Sequence, residues 1–178
     1  MAPNSLQRIW TVPNVLSFSR LALLPVFLWL VAHSDRRYWI WAGVVVVYGI
    51  LSDILDGILA RKLGQVTQLG KLVDPLADKV TAGVVGIFCV VGRGMPAGAL
   101  VLMVVRDLTI LLAGRLIWKK SREVPTSMFV GKIAALLWGV TLLLWVFDWQ
   151  PMAGYVLWPT VSLYLLAGVL YAWRVIKS

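Results

Sequence analysis

Four aspartates fall within 26 residues of this chain: Asp53, Asp56, Asp74 and Asp78. Asp53 and Asp56 are three apart, so on a helix they share a face, and Gly57 and Ala60 lie on that same face. Asp74 and Asp78 are four apart, with Gly70 extending their stripe if the helix starts early. Carboxylates crowded in this way need protons or cations to compensate them. An all-oxygen cluster suits Mg²⁺ or Mn²⁺, and four Asp are enough to bridge two such ions. Paired divalent ions are a recurring answer to displacement at phosphorus, where they clamp the attacking and leaving oxygens. The small residues Gly57 and Ala60 leave space for a bulky ligand, and Arg61, one turn on, is placed to hold a phosphate.

The elements that must position these groups are membrane spans. Of 178 residues 60% are hydrophobic and 14% charged, with ten Trp, and the mean hydropathy is +0.84. Soluble domains run about 45–50% apolar and about 25% charged. Such a composition excludes a disordered chain, a disulfide scaffold and an ordinary cytosolic enzyme. A helix needs about 20 mostly apolar residues to cross the hydrocarbon layer. Six stretches qualify: Asn14–Val31, Tyr38–Ala60, Leu72–Gly92, Met95–Trp118, Met128–Phe147 and Met152–Trp173. The expected fold is an all-α integral membrane bundle of six transmembrane helices in a single domain, 1–178. Between the third and fourth spans the only punctuation is Gly92, Gly94 and Pro96. Residues Pro3 to Thr11 carry Leu6, Ile9 and Trp10 beside Gln7 and Arg8, which suits a short interfacial helix at the N-terminus.

Net charge is +9, and in so apolar a chain the excess marks an anionic membrane surface rather than nucleic acid. Nine loop Lys and Arg fall on one side (Arg8, Arg61, Lys62, Lys71, Lys119, Lys120, Arg122, Arg174 and Lys177) against Arg36, Arg37 and Arg93 on the other. The bias predicts both termini in the cytoplasm. Asp53 precedes Arg61 by eight residues, about 12 Å of helix at ~1.5 Å per residue. Asp78 lies a similar distance into the next helix, so all four carboxylates can meet at one depth below the cytoplasmic headgroups. His33 falls in an outer loop and Cys89 deep in the third span, so no soft-metal site is available. A cation or proton pathway would also use buried carboxylates, but it needs polar groups through to the outer half, which offers almost none.

At these residues the sequence resembles the CDP-alcohol phosphatidyltransferase family. The family signature is D-x-x-D-G-x-x-A-R, eight residues, G, three residues, D, three residues, D. The chain reads Asp53-Ile-Leu-Asp56-Gly57-Ile-Leu-Ala60-Arg61, then Gly70, Asp74 and Asp78. Pro13-Asn14-Val15-Leu16-Ser17 with Arg20 and Pro25 is similar to the family's first-span opening. The resemblance implies transfer of a phosphatidyl group from CDP-diacylglycerol to an alcohol with release of CMP. It also implies that Asp53, Asp56 and Asp74 ligate two Mg²⁺ or Mn²⁺ ions, with Asp78 completing the metal site and acting as catalytic base on the acceptor hydroxyl. Asp56, Gly57, Ala60, Arg61 and Gly70 would then bind the nucleotide and diphosphate.

The acceptor must be read from other residues. Arg20, Arg115 and Lys132 lie near the cytoplasmic ends of the first, fourth and fifth spans, and three basic groups at the depth of the carboxylates suggest an acceptor that is itself a phosphate. Arg106 is a fourth candidate, deeper, with Asp107 as an alternative partner. A phosphorylated acceptor favours glycerol 3-phosphate, and Val124-Pro125-Thr126-Ser127 with Gly131-Lys132 looks similar to that subgroup. Arg106-Asp107 instead resembles CMP-forming cardiolipin synthases, which act on phosphatidylglycerol; inositol phosphate is a third option. The non-enzyme alternative is a divalent-cation transporter. The family also implies a homodimer among membrane lipids, with no nucleic-acid partner. No transit peptide is visible, as expected of a bacterial inner (cytoplasmic) membrane protein with its active site facing the cytoplasm.

Overall fold

The computed structural model describes residues 11–33, 35–62, 70–121, 129–149 and 151–177; the side chains of 60–61, 71–72, 111–121, 129 and 171–177 are outside that description. The N-terminal interfacial helix expected over Pro3–Thr11 therefore lies almost wholly outside the described residues. Six α-helices follow one another: α1 (Val12–Val31), α2 (Arg36–Lys62), α3 (Gly70–Arg93), α4 (Ala97–Ser121), α5 (Phe129–Val146) and α6 (Met152–Lys177). Among the described residues there is no strand. Stretches of α1, α2, α3 and α6 are long and apolar enough to cross a bilayer, and Val130–Val146 of α5 is a shorter apolar helix. This is an all-helical integral membrane protein. The break between α3 and α4 falls where the punctuation places it: Arg93 ends α3, Gly94 takes a φ of +75°, and Pro96 precedes the first residue of α4. Glycine accepts that left-handed conformation without a Cβ clash.

Contacts divide the chain into two units, Met1–Val85 and Gly86–Ser178, with the boundary inside α3. In the first unit α1 packs on α2. Thr11 caps α1, its hydroxyl accepting from the Asn14 backbone N–H at 3.5 Å, and Pro lies in the first turn, where a missing N–H costs nothing. The buried face of α1 is partly polar: Asn14, Ser17 and Arg20 recur every third residue and are all at most 3% exposed. Val15, Phe18, Val26, Leu28 and Trp29 point outward. Polar inside and apolar outside is the arrangement that hydrocarbon imposes, because polar groups there must find partners within the protein.

In the second unit α6 packs on both α4 and α5. The α5 seam is Ala134, Trp138, Thr141 and Trp145, and the α6 seam is Ala153, Leu157, Thr160, Tyr164 and Ala167, all buried. Spacings of three and four put each set on one stripe. Thr141 and Thr160 share a hydrogen bond of 3.0 Å across the seam, and each hydroxyl is also 2.8 Å from the carbonyl four residues back on its own helix. Small and hydroxylated residues at the contact are what brings membrane helices close. Cys89 is fully buried, its thiol donating to the Leu142 carbonyl at 3.7 Å. Arg93 donates to the carbonyl of Val146, the last residue of α5, at 3.2 Å and lies 3.7 Å from Asp148, a cation placed where the helix dipole is negative.

Candidate active site

The polar stripe of α1 is the hub of the first unit. Arg20 extends one guanidinium NH₂ group to Asp53, at 2.9 Å, and the other to Asp56. One turn earlier on the same face, the Ser17 hydroxyl donates to Asp74 at 2.5 Å, lies 3.5 Å from Asp56, and accepts from Arg20 at 3.4 Å. Two residues of α1 thus gather three carboxylates carried by α2 and α3. Spacing explains the two on α2: residues three apart on a helix face one neighbour. Asp56 is almost fully buried, whereas the Asp53 side chain is 50% exposed, so the cluster is closed on one flank and open on the other. A Cβ added at Gly57 would meet nothing within 4 Å, which gives the open flank the room expected from that glycine. Gly70 is buried at the first position of α3.

Asp78 lies one turn beyond Asp74 on α3 and is paired with Lys79 at 3.5 Å, both side chains about two-fifths exposed. The structure joins Asp53, Asp56 and Asp74 through Arg20 and Ser17; it gives Asp78 a different partner. Arg20, expected as a cation for the acceptor phosphate, holds carboxylates instead. Ser17 carries no charge and sits in an apolar run; the sequence marks it only through the first-span stretch Pro13–Ser17 with Arg20, with no role attached to it. Ser19 is a further such case, hydrogen-bonded to the Tyr48 hydroxyl at 2.6 Å.

The donor set is carboxylate and hydroxyl oxygen throughout, which fits a hard divalent cation and not a soft one. With the three aspartates ionised, Arg20 balances one of their charges and leaves two, among the described side chains, for a divalent ion to meet. As placed, no three Asp, Glu, His or Cys side chains among the described residues form a group that could hold a metal ion, and the Arg20 guanidinium pairs with both Asp53 and Asp56.

The second unit treats its intramembrane charge differently. Arg106 donates to Asp107 at 2.9 Å and its guanidinium lies 4.7 Å from the centre of the Tyr164 ring. Gly131 and Gly168 wall it in: an added Cβ would stand 3.4 Å from its terminal nitrogen at the first and 3.5 Å from its Cγ at the second. Arg106, expected among the acceptor-phosphate cations, is thus committed to a neighbour and an aromatic face. Lys132 is exposed. The side chains of Ala60, Arg61 and Arg115 lie outside the described residues, so their expected roles have no geometry here.

Residues 10–170 match the model of the CDP-alcohol phosphatidyltransferase family. The chain belongs to that family. It is similar to a CMP-forming cardiolipin synthase of Streptomyces coelicolor, 32% identical, with 94% of this chain and 84% of the relative covered. A putative cardiolipin synthase of Mycobacterium tuberculosis is 34% identical over 93% of this chain and 82% of its own length. The CDP-diacylglycerol–glycerol-3-phosphate 3-phosphatidyltransferase of Aquifex aeolicus is 34% identical over 74% of this chain and 73% of its own. The protein is a membrane transferase of substituted phosphate groups in phospholipid biosynthesis. Membership of the CDP-alcohol phosphatidyltransferases implies CDP-diacylglycerol as donor, an alcohol as acceptor and dependence on a divalent metal.

Proposed function

We propose that this phosphatidyltransferase makes cardiolipin, moving the phosphatidyl group of CDP-diacylglycerol to a hydroxyl of phosphatidylglycerol and releasing CMP. The observation that carries the transferase reading is the convergence of Asp53, Asp56 and Asp74 on Ser17 and Arg20. These aspartates, with Asp78, hold two Mg²⁺ or Mn²⁺ ions. Bound there, the ions supply charge neutralisation of the diphosphate and stabilise CMP as leaving group. Asp56 is fixed by Arg20 and Ser17, so its carboxylate is oriented before any ligand arrives. Gly57, Ala60 and Gly70 keep side chains out of the way of the nucleotide, and Arg61 contacts the diphosphate. Asp78, about two-fifths exposed and paired with Lys79 rather than hydrogen-bonded to Arg20, takes the proton of the acceptor hydroxyl. Arg115 and Lys132 are the cations kept for the acceptor's phosphate.

For the acceptor, support comes from relatives matched over 93–94% of the chain being named cardiolipin synthases, and from Asp107 following Arg106. Glycerol 3-phosphate, the acceptor favoured by the sequence, is the second reading, supported by the Aquifex relative. The excess of basic residues on one side supports an active site and termini facing the cytoplasm of the inner membrane, and the homodimer implied by the family is part of the same proposal. CMP release from CDP-diacylglycerol, measured in lipid nanodiscs with Mg²⁺ and each acceptor in turn, tests it. Phosphatidylglycerol is expected to give the fastest release. Faster release with glycerol 3-phosphate reverses the acceptor assignment, and no release with any alcohol overturns the reaction.

A further inference from the structure

Arg20 is 3% exposed, yet it is held on one side only. Its two terminal NH₂ groups bind Asp53, Asp56 and Ser17, while its Nε–H has no hydrogen-bond partner among the described residues. Arg20 also lines a cavity of about 10 Å³ between α1, α2 and α3, together with Phe27, Tyr48 and Thr81. The Thr81 hydroxyl is likewise buried and without a partner. A buried donor and a buried hydroxyl without partners among the described residues are a poor resting state, since each unmet polar group costs free energy. The guanidinium is held by the two carboxylates and by one long contact to Ser17, so a cation that takes the carboxylates loosens it.

A divalent ion needs the same oxygens. The Asp53 and Asp56 atoms that bind Arg20 cannot also present those lone pairs to a metal at coordination distance. Like charges at such a separation in a membrane interior repel strongly. We propose that Arg20 is a built-in counter-cation that competes with the divalent ion for Asp53 and Asp56, so that ion entry and release of the guanidinium are one event. Arg20 keeps the carboxylates paired in the metal-free protein, and once displaced it is a mobile positive charge beside the site, available to an arriving phosphate. The inference rests on the metal-site reading above and adds the order of events.

The test is Mn²⁺ binding without substrate, followed by the loss of free Mn²⁺ electron-spin signal in nanodiscs, on the wild type, Arg20→Gln and Arg20→Lys. Thermal unfolding of each is run in parallel with chelator and with Mn²⁺. Removing the competitor is expected to tighten Mn²⁺ binding by about tenfold or more in Arg20→Gln, because the wild-type ion must first displace a bound cation. Arg20→Lys, a point charge that cannot span both carboxylates, is expected to fall between and serves if Arg20→Gln does not fold. In chelator the variants unfold at lower temperature than the wild type, and Mn²⁺ closes most of that gap. Equal or weaker Mn²⁺ binding in the variants, with binding intact in the wild type, overturns the inference alone. No Mn²⁺ binding in any form overturns it together with the metal-site reading.

Discussion

Both units of the molecule bury charge within a membrane-spanning bundle, and they handle it in opposite ways. In the second unit one arginine meets one aspartate, an aromatic ring covers the cation, and two glycines make room for it. Among the described side chains that set is balanced and walled. In the first unit, among the described side chains, Arg20 pairs with two aspartates and Ser17 holds a third, Asp53 is half-exposed, and the neighbouring Gly57 opens onto free space. That set is unbalanced and open. A charged residue in a membrane helix is costly wherever it lies. Only the unbalanced, open set has something left over with which to bind a ligand, so excess charge beside empty space is a better guide to the site than burial or charge alone.

The comparison can be broken most severely at Asp56. Asp56→Asn keeps the shape but removes the charge, and CMP release is expected to fall by about 10³-fold, in the range seen when an electrostatic contact to a transition state is deleted. A fall of less than tenfold would place the chemistry elsewhere. Chelation of divalent ions is expected to abolish CMP release and readdition of Mg²⁺ to restore it, while helicity by circular dichroism stays unchanged. In the second unit, the largest effect should be on stability. Arg106→Met takes away the cation paired with the buried Asp107 and is expected to cost about 3 kcal/mol or more, with most of it recovered in the double variant Arg106→Met/Asp107→Leu. Failure of the second change to rescue unfolding in a denaturant titration would show that the pair does more than balance itself. Gly57→Ala should be close to neutral in thermal unfolding, since its Cβ meets nothing, while the KM for CDP-diacylglycerol rises several-fold. Smallest of all, Thr141→Val removes one hydroxyl of the α5–α6 bond and should cost about 0.6 kcal/mol, the average for such contacts in a membrane protein.

The spans were legible because hydrocarbon allows so few solutions. Expected spans such as Tyr38–Ala60 and the observed Arg36–Lys62 differ by two residues at each end, which is the usual slack of a helix terminus. Gly92, Gly94 and Pro96 sufficed to divide α3 from α4 because a positive φ and a proline together leave little freedom there. The spacing put all four motif aspartates together; Asp53, Asp56 and Asp74 meet on Ser17 and Arg20, while Asp78 is paired with Lys79. The cation that joins them was not legible in that role: a sequence shows that Arg20 is basic, but its choice between a phosphate and a carboxylate depends on what the neighbouring helices present. Ser17 shows the opposite difficulty: it belonged to a recognisable first-span stretch, but a neutral hydroxyl there gives no sign of the carboxylates it will meet. The closed character of Arg106 was hidden too. Consecutive residues on a helix point about 100° apart, and only a long, flexible side chain lets Arg106 turn back to Asp107.

Cys89 is the single cysteine of the chain, fully buried with its thiol turned to the Leu142 carbonyl. To water-borne maleimides the native protein is therefore chemically silent. A reporter cysteine placed at the exposed Trp149, or at the exposed Lys62 end of α2, becomes the only group that such reagents can reach. The protein thus comes ready for labelling at either position, with no background to remove first.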